Sequence, residues 1–207
     1  MYQTLAGDGF LTPLRGIRAV VADGGKQLQS YPFIVRQAVD PSATYLVNTM
    51  LQEVMRQGTG HSAYEVLPKD YGLVGKTGTT NDSIDAWFCG FQKNVVGISW
   101  IGFDQPRSLG DKETGGGAAL PIWINYMATA LKGVPEAEYP VPENMVALPI
   151  NNEGLRDESS SRIEYFYQEN VPSNAPSPTI LEGGTPSGEA PLKEEEKPAD
   201  IVKDQLL

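Results

Sequence analysis

Three strand-like segments follow one another between residues 73 and 103, and they restrict the fold more than any other feature of the chain. Segments 86–91 and 95–103 are rich in aromatic and β-branched residues, which favour strands. Asn94 lies in the short turn between them, which predicts an antiparallel pair. Residues 73–80 are predicted to form a third strand with a glycine-rich middle.

Helical patterns lie on both sides of these strands. Asp40-Pro41 begins the clearest helix and Gly58 ends it. Its apolar residues keep helical spacing and are expected in the core: Ala43, Leu46, Val47, Met50, Leu51, Val54 and Met55. A later helix, 118–131, is expected to direct five side chains inward: Leu120, Trp123, Ile124, Met127 and Leu131.

An earlier helix is predicted to begin at Thr12-Pro13, with Leu14, Ile17 and Val21 on one face, and to end at Gly24-Gly25. Residues 26–38 suggest a short hairpin or an extended segment. The order of elements predicts an α+β fold, an antiparallel sheet flanked by helices.

The composition changes along the chain. Residues 1–134 are predicted to form the packed part of the chain, and prolines make 135–171 an irregular C-terminal extension. Within that extension, 159–167 could add a short strand. Residues 172–207, rich in Pro, Ser, Gly and Glu, are predicted to be disordered. The net charge of −10 argues against binding nucleic acid, which needs Lys and Arg contacts to phosphate.

The chain has one cysteine, Cys89, and one histidine, His61. An intrachain disulfide is therefore impossible, a structural zinc site is not expected, and no cofactor is predicted. Cys89 is interpreted as a small buried filler and His61 as a turn-exposed residue. The chain has neither a run of about 18 apolar residues nor a signal-peptide pattern, which fits a cytosolic protein or a piece of a longer exported one.

The stretch Gly75-Lys-Thr-Gly-Thr-Thr80 is the most informative motif. A phosphate loop would need glycine where Asp70 stands, and a helix after the motif, so we discard a nucleotide site. Lys-Thr-Gly is also a signature of serine acyltransferases that bind penicillin. Alone the motif is a weak signal, because an exposed strand or loop can carry the same residues by chance.

The residue types fit recognition of a peptide that ends in a carboxylate. Lys76 supplies a cation, and Thr77 and Thr79 supply hydroxyl donors. Gly78 leaves room for a substrate backbone to lie along the strand as an added strand. A backbone N–H just after this glycine can point at a developing oxyanion.

The surrounding sequence resembles the class A penicillin-binding proteins of bacterial cell-wall synthesis over about residues 1–155. The segments that carry the resemblance are Gly75 to Asp82, Asp85-Ala-Trp-Phe88, Trp100-Ile-Gly-Phe-Asp104 and Gly115 to Trp123. Met1-Tyr-Gln-Thr-Leu5, Pro13 to Arg18 and Gly58-Thr-Gly60 look like the bifunctional 1B type in particular.

This resemblance implies that residues 1–134 are the C-terminal part of a transpeptidase domain. It implies a parent that crosslinks peptidoglycan stem peptides through a serine acyl-enzyme, binds β-lactams and also has a glycosyltransferase domain. The parent is expected to be membrane-anchored at the periplasmic face of the inner membrane, with possible envelope regulatory lipoproteins as partners. Lys76 and Thr79 would be the catalytic residues, Thr79 through its backbone N–H. Lys76, Thr77, Gly78 and Thr79 would bind substrate.

Three residues after the motif are expected to have structural roles and not to bind substrate. Trp87 and Phe88 are expected to pack the sheet, and Asp85 to hold the loop after the motif.

The sequence contains no Ser-x-x-Lys and no Ser-x-Asn, so the nucleophile is absent and the isolated chain is predicted to be inactive. We also expect it to expose apolar surface and to be poorly soluble or marginally folded. Two alternatives stay open, a β-lactamase or D,D-carboxypeptidase fragment and a non-catalytic split-gene product.

Overall fold

The centre of the protein is a three-stranded antiparallel sheet, in a computed structural model that describes residues 1–175. Its strands are β5 (Val74–Thr79), β6 (Ala86–Gln92) and β7 (Val95–Ile101), in the order β5-β6-β7. The register places Thr77 opposite Phe88. All three predicted strands are confirmed, as is the turn at Asn94.

One face of the sheet packs against helix α3 (Leu120–Ala130), which buries every residue predicted to point inward. The Trp123 ring lies 4.9 Å from the Phe88 ring, and its indole N–H donates to the Gly97 carbonyl at 3.1 Å. A Cβ on Gly97 would lie 2.8 Å from Trp123 Nε1, so the glycine lets the indole approach the strand. The bulkiest buried side chain of the core is therefore fixed by both packing and a hydrogen bond.

Helix α2 (Pro41–Arg56) begins where predicted. The Asp40 carboxylate accepts hydrogen bonds from the backbone N–H groups of Ser42 and Ala43 at 3.0 and 2.9 Å. These bonds satisfy two of the donors that a helix start leaves unpaired.

The buried face of α2 is more polar than predicted. Val47 and Met50 are 40% and 63% exposed, so their predicted core positions are wrong. Polar residues are buried instead: Ser42, Thr44, Asn48 and Gln52. Ser42 donates to Asn144 Oδ1 at 2.6 Å, and Asn48 donates to the Leu5 carbonyl at 3.0 Å. These partners lie far away in sequence and satisfy the Ser42 hydroxyl and the Asn48 amide N–H, while Asn48 Oδ1 is buried without a partner among residues 1–175.

The predicted helix from Thr12 is absent, and that prediction is wrong. Residues 19–30 form a hairpin instead, in which β2 (Ala19–Val21) pairs with β3 (Gln27–Ser30). Gly24 and Gly25 have φ of +89° and +83° and make its turn. In the part of the chain that the structure describes, no element covers the apolar face of such a helix, and Leu14 is 97% exposed.

We call residues 13–35 the arm, and all of them except Ala22 are exposed. The remaining short elements lie at either end of the arm. Helix α1 spans Tyr2–Ala6, and β1 (Phe10–Leu11) pairs with β4 (Arg36–Gln37).

A second hairpin, β8 (Met145–Pro149) with β9 (Ile163–Tyr167), packs on α2. The Tyr165 ring lies edge-on to Tyr45 at 5.1 Å, which confirms the strand predicted within 159–167. Residues 1–174 form one compact unit, and the α+β class with antiparallel sheets is confirmed. Most of the predicted disordered tail, from residue 176 on, lies outside the described residues. Among residues 1–175, every helix is too short or too polar to cross a bilayer.

Candidate active site

The Lys-Thr-Gly motif lies on β5, the edge strand of the central sheet. Lys76 and Thr79 are exposed, while Thr77 and Gly78 are half-buried. Because side chains alternate along a strand, Thr77 and Thr79 lie on one face and Lys76 on the other. The motif is a strand and not a helix start, which excludes the phosphate-loop geometry.

The Lys76 ammonium group is held along the strand. Its Nζ donates to the Thr77 carbonyl at 3.0 Å. Within the described residues no carboxylate forms an ion pair with it. Its positive charge is therefore available to an anionic ligand at this edge of the sheet.

Thr77 has a neighbour that the sequence did not identify as a site residue. The Thr59 and Thr77 hydroxyl oxygens are 2.9 Å apart. Thr59 lies in the turn after α2, where Gly60 N–H donates to the Val54 carbonyl at 3.0 Å. The sequence marks this segment only as the end of α2 and as part of the family resemblance, because nothing local to Thr59 predicts contact with a strand 18 residues later.

Thr79 has a neighbour from the segment that leads into α3. The Gly115 N–H donates to Thr79 Oγ1 at 3.0 Å. Gly115–Ala119 form a π-helical turn that continues into α3. Thr114 stabilises that turn by accepting a hydrogen bond from Gly117 N–H at 3.1 Å.

The π-helical turn lies directly against the motif strand. A Cβ on Gly115 would lie 2.4 Å from the Trp87 carbonyl oxygen and 2.6 Å from the Gly78 carbonyl oxygen. Only glycine permits this approach, since the atoms that it would meet are backbone.

The loop after the motif is held by Asp85, as predicted. Its Oδ1 accepts from the Trp100 indole at 2.8 Å, and its backbone N–H donates to Thr80 Oγ1 at 2.7 Å. Asp85 thereby ties the end of β5 to β7. Among residues 1–175 it forms no hydrogen bond with Thr77 or Thr79.

The two neighbouring aromatic residues differ in burial. Phe88 is fully buried, as expected for sheet packing. Trp87 lies opposite Gly78, is 39% exposed and contacts the Trp100 ring at 5.9 Å.

Cys89 and His61 lie outside the motif. Cys89 is half-buried beside Tyr2, so the buried-filler interpretation is wrong, and burial raises the pKa of its thiol. His61 is exposed, as predicted, and its Nδ1 lies 2.6 Å from the Arg56 carbonyl oxygen.

A groove of about 510 Å³ lies at the opposite edge of the sheet, between β7 and α3. Its walls include Ile98, Trp100, Ile122 and Tyr126. Strand β6 separates this groove from the Lys-Thr-Gly strand, so the groove and the candidate site are different places.

Comparisons with known proteins agree with this geometry. Residues 1–126 match the family model described as the penicillin-binding protein transpeptidase domain. The chain is 39% identical to penicillin-binding protein 1A of Pseudomonas aeruginosa, over 82% of this chain and 21% of that protein. It is 37% identical to penicillin-binding protein 1A of Neisseria cinerea, over 78% of this chain and 23% of that protein.

A solved structure shows the same fold. The crystal structure of penicillin-binding protein 1A from Haemophilus influenzae superposes with a TM-score of 0.76 and 26% identity, over 84% of this chain and 32% of that one. The relatives named here are 1A proteins, so the comparisons do not support the predicted 1B type. The chain spans about a fifth of the length of the curated relatives that it matches.

Proposed function

The chain belongs to the penicillin-binding protein transpeptidase family, and from that premise we propose that its edge strand grips the carboxyl end of a peptidoglycan stem peptide. The observation that carries the proposal is that Lys76, Thr77 and Thr79 share one edge strand, where the Lys76 ammonium group lies against the Thr77 carbonyl. A cation and two hydroxyl groups suit a carboxylate, and β-lactams carry a carboxylate too. Gly78 leaves the strand open to a substrate backbone.

The proposed chemistry is serine acyl transfer. A serine attacks the penultimate carbonyl of the donor, the terminal D-alanine leaves, and an acceptor amine then releases the acyl group as a crosslink. Lys76 tunes proton transfer near the serine, and the Thr79 backbone N–H stabilises the oxyanion. Because this sequence has no Ser-x-x-Lys, we propose that an upstream part of the parent supplies the nucleophile.

The parent is proposed to be a membrane-anchored, bifunctional synthase at the periplasmic face of the inner membrane. We also propose that the parent has glycosyltransferase activity and envelope regulatory lipoproteins as partners. Neither property is assigned to residues 1–175. A β-lactamase or D,D-carboxypeptidase parent would use the same strand, but the named relatives are penicillin-binding proteins of the 1A type.

Labelling with a fluorescent penicillin tests this proposal. We expect no covalent label on the isolated chain, and label on a complete transpeptidase that also carries the upstream part. Lys76→Ala in the complete protein should lower the acylation rate by about 100-fold, the range of a lost proton-transfer group. Clear labelling of the isolated chain, or full activity of Lys76→Ala, would contradict it.

A further inference from the structure

Each hydroxyl group of the motif strand contacts one neighbour that sets its hydrogen-bonding role. We propose that Thr59 and the Gly115 amide are positioning groups, which present the hydroxyls of Thr77 and Thr79 to a substrate carboxylate as hydrogen-bond donors. This inference rests on the proposed function, because it concerns the same carboxylate.

The need for such groups follows from the chemistry of hydroxyls. An ionised carboxylate only accepts hydrogen bonds, and a threonine hydroxyl has a single proton to give. A threonine that donates this proton within the protein cannot also donate it to the substrate. The site must therefore keep both protons free for the ligand.

At Thr79 the Gly115 amide fulfils this requirement. A backbone N–H can only donate, so the 3.0 Å bond from Gly115 occupies a lone pair of Thr79 Oγ1 and leaves the proton free. Gly115 is well placed to do so, because it opens the π-helical turn and its N–H has no partner within that turn. The close approach of Gly115 to the Gly78 backbone fixes the distance.

At Thr77 the partner is a second hydroxyl, and either oxygen can be the donor in the 2.9 Å contact. Neither hydroxyl has another hydrogen-bond partner among residues 1–175. A carboxylate that binds Thr77 accepts a hydrogen bond from the Thr77 hydroxyl. The Thr59 hydroxyl must then be the donor in its contact with Thr77 Oγ1. The result is a two-bond chain, from Thr59 to Thr77 to carboxylate, in which each bond strengthens the other.

The turn that carries Thr59 is held firmly in place. A Cβ on Gly60 would lie 2.6 Å from the sulfur of Met55, which is fully buried, and a Cβ on Gly58 would lie 2.9 Å from the Val54 backbone. The turn is thus packed against the end of α2 on both sides of Thr59. A hydroxyl that is already positioned costs little ordering entropy when the ligand binds.

The test uses a complete transpeptidase that contains this chain, and two probes that differ in one group. Acylation rate constants are measured with benzylpenicillin and with its methyl ester, which lacks the carboxylate. Thr59→Val should lower the rate with benzylpenicillin on the order of tenfold, the scale of a lost charge-assisted bond, and change the ester rate less than about twofold. Thr59→Ser keeps the hydroxyl and should restore the benzylpenicillin rate.

The outcomes separate this inference from the proposed function. An equal loss with both probes would show a merely structural role for Thr59, and an unchanged rate with both would show no role; either overturns the inference. Thr77→Val tests the carboxylate grip itself and should selectively lower the benzylpenicillin rate. If Thr77→Val lowers that rate while Thr59→Val does not, the proposed function stands and the inference falls. If neither variant lowers the benzylpenicillin rate, the proposed binding of the carboxylate by Thr77 fails as well.

Discussion

The arm and the central sheet are both rich in apolar residues but differ in how far they bury them. In the sheet and α3, residues such as Phe88 and Trp123 are less than 2% exposed and contact each other. In the arm, Phe33 and Ile34 are 66% and 56% exposed. The difference teaches that apolar content alone does not make a core here; the sheet provides a surface to pack against, and the arm does not.

The exposed arm also bears on the behaviour of the chain alone. Apolar side chains that nothing covers favour association, so poor solubility remains our prediction. A sharp, cooperative melt of soluble monomer would count against it.

The largest difference in unfolding free energy is expected between a truncated side chain in the central sheet and one in the arm. Phe88→Ala removes a fully buried ring and should cost about 3–5 kcal/mol of unfolding free energy. Val21→Ala in the arm, where the side chain is 58% exposed, should change it by less than about 0.5 kcal/mol. Urea denaturation of both variants measures this, and similar losses would mean that the arm is packed in solution.

A second pair of variants compares the loss of stability at two adjacent glycines. Gly115→Ala places a methyl group against backbone atoms at 2.4 Å and should cost about 1–3 kcal/mol. Gly116→Ala is the matched control, since its Cβ would meet its nearest neighbour, the Thr59 carbonyl oxygen, at 3.5 Å. Thermal melts compare the two, and equal stability would show that the π-helical turn is not held against the strand.

A third variant examines the junction between the arm and α2. Asp40→Ala removes the carboxylate that accepts from two backbone N–H groups and should cost about 0.5–2 kcal/mol. Asp23→Ala, in the exposed hairpin turn, serves as the control and should be nearly neutral. Equal effects in denaturant titrations would argue that the cap does not stabilise the helix.

The smallest effect is expected in the pH dependence of alkylation of Cys89, which lies on the sheet face that carries Tyr2. Burial raises the pKa of this thiol, so less of the reactive thiolate exists at pH 8 than in an exposed cysteine. The alkylation rate should therefore keep rising above about pH 9, where an exposed thiol begins to level off. The same chain unfolded in urea is the control, and coinciding pH profiles would show that Cys89 is not shielded.

The sequence predicted the elements whose partners lie close by. Strands β6 and β7 join through a short turn, and Asp40 caps α2 through residues two and three positions on. Helix α3 buried all five residues named from its spacing, because its one apolar face meets one sheet. The Lys-Thr-Gly strand was found by its motif, and the family comparison supports its context.

The tertiary structure alone decided which face of α2 is buried and whether residues 12–24 form a helix. Both depend on partners distant in sequence: Asn144 bonds Ser42 across 102 residues, while no element of residues 1–175 covers Leu14. The same holds for the site, where Thr59 and Gly115 reach the motif across 18 and 36 residues. Local spacing encodes propensity, but burial and hydrogen-bond pairing are settled only when remote segments meet.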